Sequence, residues 1–171
     1  MKHIFLSIIF FTLSYASINN INSFKADFVQ NITDEKNKVL SYSGHIIASK
    51  PQNAVWTYTD PIQKYVYITS GTVTIIEPEI EQVIIRHIDS NFNFFNMIQN
   101  AQKISKDRYT AQYQESKFNI FTQNNLLKSI SYMDEFENSV EIIFTNQLQN
   151  IQINESTFIP SIPTEYDIIN N

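Results

Sequence analysis

The chain is 171 residues long, with 17 acidic and 12 basic side chains, no cysteine and a formal charge of −5. That length buries a sizeable core in one domain without a metal or disulfide staple, and 43% hydrophobic residues exclude a wholly disordered chain. The absence of cysteine argues against thiol catalysis, thiolate zinc sites, iron–sulfur clusters and lipid attachment through an N-terminal cysteine, and the acidity argues against a nucleic-acid partner.

The chain starts with a short basic stretch, Met1-Lys2-His3, followed by an apolar run from Ile4 to Leu13. Ser14-Tyr15-Ala16 then places small residues at the −3 and −1 positions of a cleavage site, so residues 1–16 read as a secretory signal peptide cleaved after Ala16. The run is too short to cross a hydrocarbon core of ~30 Å. No later stretch reaches 18 uninterrupted apolar residues. The expectation is one soluble, exported domain over residues 17–171.

Along that domain the dominant period is two. Phe24, Ala26, Phe28 and Ile32 alternate with Lys25, Asp27 and Asn31, a strand pattern, and Ser17–Asn22 can hold one helical turn capped by Ser17. Further strands are predicted at Val39–Ser49, Ala54–Thr59, Lys64–Thr69, Thr72–Glu77 and Ile80–Ile88. After a gap they resume at Arg108–Gln114, Lys117–Thr122, Leu126–Asp134, Asn138–Thr145 and Leu148–Asn154. The connectors carry ordinary turn chemistry, including Asp60-Pro61, Ser70-Gly71 and Asn124-Asn125. About ten short strands at this spacing predict a mainly β fold with a single antiparallel sheet, strongly curved or nearly closed into a barrel. The turns are too short for the helical crossovers of a parallel sheet.

One segment departs from that period. From Asn91 to Ile104, Phe94, Met97, Ile98, Ala101 and Ile104 fall at helical spacing, with Ser90 or Asn91 as cap. This predicts a helix lying against the sheet.

Several strands are apolar on both faces, among them Tyr65-Val66-Tyr67-Ile68, Val73 with Ile75-Ile76, and Val83-Ile84-Ile85. A curved sheet with one helix cannot cover both faces everywhere. An internal apolar cavity lidded by the helix accounts for the pattern. So does compositional drift, since 28 Ile and 19 Asn stand against two Gly.

Catalytic chemistry finds little support. With glycine only at 44 and 71, no GxSxG, GxGxxG or Walker motif can form. His45 and His87 are isolated strand histidines with no close partner in sequence, and Glu77, Glu79 and Glu81 flank a proline turn. No catalytic residue, metal ligand or cofactor site is assigned.

Between Phe24 and Gln82 the run Phe24-Lys25-Ala26-Asp27-Phe28, the pair Ser43-Gly44, Lys50-Pro51 with Trp56, and Glu77-Pro78 together resemble the periplasmic outer-membrane lipoprotein carrier family (LolA). Ser23-Phe24-Lys25-Ala26-Asp27-Phe28-Val29-Gln30 is similar to its opening strand. Ser43-Gly44, Ser49-Lys50-Pro51 with Trp56, Asp60-Pro61, Ser70-Gly71, Glu77-Pro78 and Glu81-Gln82 follow in order. Phe158-Ile159-Pro160, Pro163 and Tyr166-Asp167-Ile168-Ile169 are similar to its closing segment.

The resemblance implies an unclosed β-barrel with a helical lid, whose apolar interior holds the acyl chains of lipoproteins in the periplasm. It implies three partners: acylated lipoproteins, an inner-membrane lipoprotein-releasing ABC transporter that loads the carrier, and an outer-membrane acceptor that unloads it. It implies a monomer, no nucleic acid and no cofactor. Where the family has an arginine that latches the lid, this chain has Lys50, which lacks the planar fork. Ala54 stands where the family often has a bulky apolar residue, and little sequence is left for an N-terminal helix.

Carrier physics then points to particular residues. Burying one sixteen-carbon chain is worth about 12 kcal/mol at about 0.8 kcal/mol per CH₂, so a preformed dry pocket would scarcely release its cargo. A cavity that fills itself when empty lowers net affinity. Phe94, Phe95, Met97 and Ile98 are the expected lid residues, and Trp56 and Tyr58 the expected cavity wall. Two other readings stand beside the carrier. One is a lipid or glycolipid shuttle or sensor on the same scaffold, and the other a periplasmic hydrolase using His45 or His87.

Overall fold

In the computed structural model, residues 18–69, 71–88, 94–113 and 115–170 are described. The predicted signal segment and the predicted caps Ser17, Ser90 and Asn91 lie outside them. The described residues open with a 3-10 turn, Ile18–Asn20, whose Ile18, together with Ile21 just after it, is buried in the core.

Among the described residues twelve strands follow. They are β1 (Ser23–Thr33), β2 (Val39–Ser49), β3 (Asn53–Asp60), β4 (Lys64–Thr69), β5 (Thr72–Glu77) and β6 (Gln82–His87), then β7 (Gln102–Ser105), β8 (Arg108–Tyr113), β9 (Ser116–Gln123), β10 (Leu126–Met133), β11 (Ser139–Gln149) and β12 (Asp167–Asn170). They form one sheet in the order β12-β6-β5-β4-β3-β2-β1-β11-β10-β9-β8-β7. The two ends of that order do not pair with each other, so the barrel is unclosed, as the sequence led one to expect.

The hairpins show why these residues turn where they do. Asn124 and Asn125 both take positive φ, 53° and 63°, between the paired residues Gln123 and Leu126. Asparagine tolerates that conformation, which suits a two-residue hairpin. The β1–β2 and β10–β11 hairpins repeat one design. The Asp34 carboxylate accepts from the amides of Lys36 and Lys38, and the Asp134 carboxylate from those of Phe136 and Asn138. Each closes through one left-handed residue, Asn37 and Glu137.

Gly44 marks a close approach of β2 and β3. The β2–β3 register shifts between Ser43 and Gly44, and a Cβ on Gly44 would lie 1.9 Å from the Thr57 carbonyl oxygen. Only a residue without a side chain lets β3 approach this closely. Gly44 also stands between Phe28 and Tyr58 in the sheet, and their rings meet across it with centroids 5.1 Å apart.

The main core lies on the concave face, where Phe24, Phe28, Ile46, Ile120, Leu127, Val140 and Phe144 are buried. A second buried layer lies on the convex face of β3–β6. Val55, Ile76 and Val83 are buried there, and a 3-10 turn at Glu155–Phe158 crosses β3 and β4 with Phe158 buried beneath it. The Asn154 side chain caps that turn by accepting from the Ser156 amide. The two-faced strands are therefore apolar for two reasons, an outer layer under the C-terminal segment and an inner face toward the sheet's hollow. Nothing in the periodicity pointed to that outer cover.

Four expectations are corrected. The helix α1 is short, Phe94–Gln99, and Ile104 sits exposed on edge strand β7. Asn138–Thr145 and Leu148–Asn154 are not two strands: β11 runs from Ser139 to Gln149 through an irregularity opposite Lys25–Asp27. Asn146, at φ 50°, sits in that irregularity and donates to Asp27 Oδ2 at 2.7 Å. A polar pair on the outer surface thus carries the strand over what reads as a break. Ile80 belongs to a 3-10 turn, Pro78–Ile80, and β6 starts at Gln82. Finally, β12 pairs parallel to β6, Ile168 with Val83 and Ile169 with Ile84, because the C-terminal segment crosses the sheet before returning along its edge.

Candidate functional site

The concave face and α1 line a half-open cavity of about 300 Å³, at the small end of ligand-binding sites. Its floor comes from alternate residues of β3 and β4: Ala54, Trp56 and Tyr58, with Val66 and Ile68 beside them. Phe118, Ile130, Tyr132 and Ile142 form the opposite wall. The lining is predominantly apolar, with Gln30 and Tyr58 marking one end and Gln52 and Asn53 another.

Each residue expected at the site has a definite place. Trp56 and Tyr58 lie on the wall, and Phe94, Phe95 and Met97 on the lid side of the same cavity. Ile98 is fully buried in the core rather than on the cavity surface. Lys50 follows β2, and its ammonium donates to Asn22 Oδ1 at 2.8 Å while its amide donates to the Asn22 carbonyl at 2.9 Å. Lys50 therefore grips the N-terminal turn, and α1 packs on that turn and on β8. Sequence reasoning did not single out Val66, Ile68, Tyr132 or Gln30. The two-faced strand Tyr65–Ile68 was a signal for the first two, but the far wall depends on contacts between distant strands.

Aromatic rings run from the lid into the sheet. Phe95 meets Phe94 at 5.5 Å, Phe94 meets Phe24 at 5.7 Å, and Phe24 meets Phe144 edge-on at 5.3 Å. Phe144 lies 6.4 Å from Trp56, and Phe28 contacts both Trp56 and Tyr58 at 5.1 Å. Such tilted and edge-on pairs each add about 0.5–1.5 kcal/mol beyond burial. The Tyr58 hydroxyl donates to Gln30 Oε1 at 2.9 Å, and the Lys64 ammonium lies 4.6 Å from the Tyr58 ring centroid. Burial pushes the Tyr58 phenol up to about 12, with Tyr132 and Tyr42 adding to the shift. The phenol thus stays neutral, a donor at the edge of an apolar space.

The polar chemistry lies elsewhere. His45 Nδ1 and Asp27 Oδ1 are 2.6 Å apart on the exposed convex surface, opposite the cavity. Hydrogen bonds from Asn146 and His45 hold the Asp27 carboxyl below its ordinary value. His87 is exposed at the end of β6. Among the described residues no group of three His, Asp or Glu side chains could hold a metal. Likewise, among them no helix is long and apolar enough to cross a membrane.

A half-open apolar cavity, a short aromatic helix beside it and an unclosed sheet coincide with a family match. The profile of the family described as "Outer membrane lipoprotein carrier protein LolA" covers residues 19–161. The chain belongs to that family.

The LolA family is one of carriers, not enzymes. An outer-membrane lipoprotein carrier protein of Campylobacter jejuni is 42% identical over 99% of both chains. The protein of the same name from Wolinella succinogenes is 29% identical over 99% of both. An uncharacterized conserved protein from Thermus thermophilus shares the fold, with a TM-score of 0.56 and 10% identity over 93% of this chain and 96% of that one.

Proposed function

We propose that this protein is a periplasmic chaperone that holds the acyl chains of lipoproteins in the cavity between Trp56, Tyr58 and the α1 lid. It takes them from an inner-membrane lipoprotein-releasing ABC transporter and delivers them to an outer-membrane acceptor. The observation that carries this reading is the apolar cavity of about 300 Å³ lined on one side by Phe94, Phe95 and Met97. Family membership and a leader with the features of a cleaved signal, Met1–Ala16, support it.

The mechanism follows from the size of the cavity. In the empty protein the lid aromatics occupy much of the hollow, so a lipoprotein must displace them to enter. Binding then yields the burial of its chains less the loss of the lid's own contacts, which keeps affinity in a range where cargo can leave. Phe94 and Met97, half-buried and three positions apart, are the residues that swing. Ile98, fully buried, is the pivot that stays. Lys50 acts as an indirect latch, holding through Asn22 the turn on which α1 rests.

The test uses the single tryptophan. The protein without residues 1–16 is titrated with a triacylated lipopeptide while Trp56 emission is followed, with the unacylated peptide as control. A saturable blue shift or quench with the acylated form alone is expected. A response to free lipid but not to the lipopeptide would move the assignment to a general lipid shuttle. Silence in both this and an independent binding assay would end the carrier reading.

A further inference from the structure

Strand β7 ends the sheet on the lid side as an open edge. Among the described residues it pairs only with β8, and Gln102, Lys103, Ile104 and Ser105 are all exposed. An edge strand presents a row of backbone N–H and C=O groups on its outer side, a template for another strand. This edge adjoins the cavity. Helix α1, whose Phe94, Phe95 and Met97 line the hollow, packs on β8, the neighbour of β7. From Met97 to Gln102 is five residues, a reach of at most about 18 Å. The other edge, β12, stands at the far end of the strand order beside β6. The β7 edge is also guarded against indiscriminate pairing. Its register on β8 shifts between Lys103 and Ser105, and the Lys103 ammonium lies 5.9 Å from the Tyr109 ring. An irregular, charged edge of this kind disfavours pairing between free copies.

Resting on the carrier reading above, we propose that β7 receives an added strand: the extended stretch of polypeptide that follows the acylated residue of a lipoprotein whose chains occupy the cavity. Cavity and edge share the corner made by α1 and β8, so a polypeptide leaving the hollow past the lid runs along β7. About six residues at about 3.3 Å each cover the distance to Gln102, and four more match the length of the strand. Pairing through the backbone draws its affinity from main-chain hydrogen bonds, so one edge serves cargoes of unrelated sequence. Four residues pair only weakly on their own. Anchoring by the acyl chains turns the pairing into an intramolecular step, at an effective concentration in the millimolar range. The edge thus holds a polypeptide that is already acyl-bound and passes over one that is not.

Three triacylated lipopeptides test this through the Trp56 titration. One carries a ten-residue tail, one the same tail N-methylated at every amide beyond the sixth residue, and one a two-residue tail. The plain ten-residue tail should bind about ten-fold more tightly than either of the others, because N-methylation removes the hydrogen-bond donors and keeps the sequence. Hydrogen exchange read by mass spectrometry then locates the contact without altering the protein. The amides of Gln102–Ser105 should exchange at least about five-fold more slowly with the plain ten-residue tail than with the two-residue one. Equal affinities for the three peptides, or tighter binding of the long tail with no slowing at Gln102–Ser105, overturns the added strand while leaving the carrier intact. Failure of the protein to bind any of the three overturns the carrier reading and the added strand with it.

Discussion

The ring of Phe94 lies 5.7 Å from that of Phe24 at a tilt of 38°, which ties the first residue of α1 to a fully buried residue at the start of β1. Aromatic packing therefore helps to hold the lid. Phe94→Ala removes that contact, worth about 0.5–1.5 kcal/mol. An easier opening should tighten binding of an acylated peptide by about three- to ten-fold, read from the Trp56 titration. A weaker complex instead would make Phe94 part of the cargo's bed rather than its door.

Gly44→Ala should be among the more damaging small changes in the protein. The new methyl would lie 1.9 Å from the Thr57 carbonyl, backbone against backbone, so β2 and β3 must separate. Overpacking of this kind costs about 1–3 kcal/mol or more, a loss of several degrees in melting temperature for a chain of this size. A melting curve superimposable on the parent's would show that the sheet does not need this close approach of β2 and β3.

Phe158→Ala tests the outer layer separately from the cavity. Truncating a buried Phe costs about 3–5 kcal/mol, and Phe158 seals the convex face, not the acyl site. The melting temperature should fall markedly. Affinity for an acylated peptide, measured below the new melting point, should hold.

The period of two in Phe24, Ala26 and Phe28 located β1 and its buried face, and all three are buried as the alternation implies. The lid helix was legible only in part. Phe94, Met97 and Ile98 keep helical spacing and helical structure, while Ile104 keeps the spacing but lies on β7. Asn100 and Ala101 end the helix through hydrogen bonds back to Asn96 and Ile98, and β7 then pairs with β8. A local pattern does not reveal that strand partner.

Alkaline pH should expose the buried phenol. Tyr58 is raised to about 12 by burial, so the folded state keeps a proton that the unfolded chain gives up near pH 10. Its contribution to stability is complete below about pH 10 and is lost as pH rises through about 12. Burial also raises Tyr132 and Tyr67, so tyrosinate absorbance should include several late-titrating groups, and Tyr58→Phe should remove the latest of them. A titration complete near pH 10 in the folded protein would contradict the burial of this hydroxyl.

His45→Gln with His87→Gln should leave acyl-peptide binding unchanged within about two-fold, since both histidines are exposed and His45 faces away from the cavity. Loss of binding on this double substitution, with the fold intact, would bring the hydrolase reading back.

By itself the sequence determined most of the strands, the turns between them and the aromatic stock from which a cavity could be built, because alternation and turn chemistry are written within a few residues. Lys64–Thr69 and Thr72–Glu77 are strands as read. The tertiary structure alone decided what covers each face. Val55 and Val66 look alike in a list of apolar strand residues, yet one is sealed under the C-terminal turn near Phe158 and the other looks into the hollow. That difference is made by a segment about a hundred residues away in the chain and by the parallel return of β12 along β6. Alternation tells on which side of a strand a residue stands, and only long-range packing decides whether that side meets protein, cargo or water.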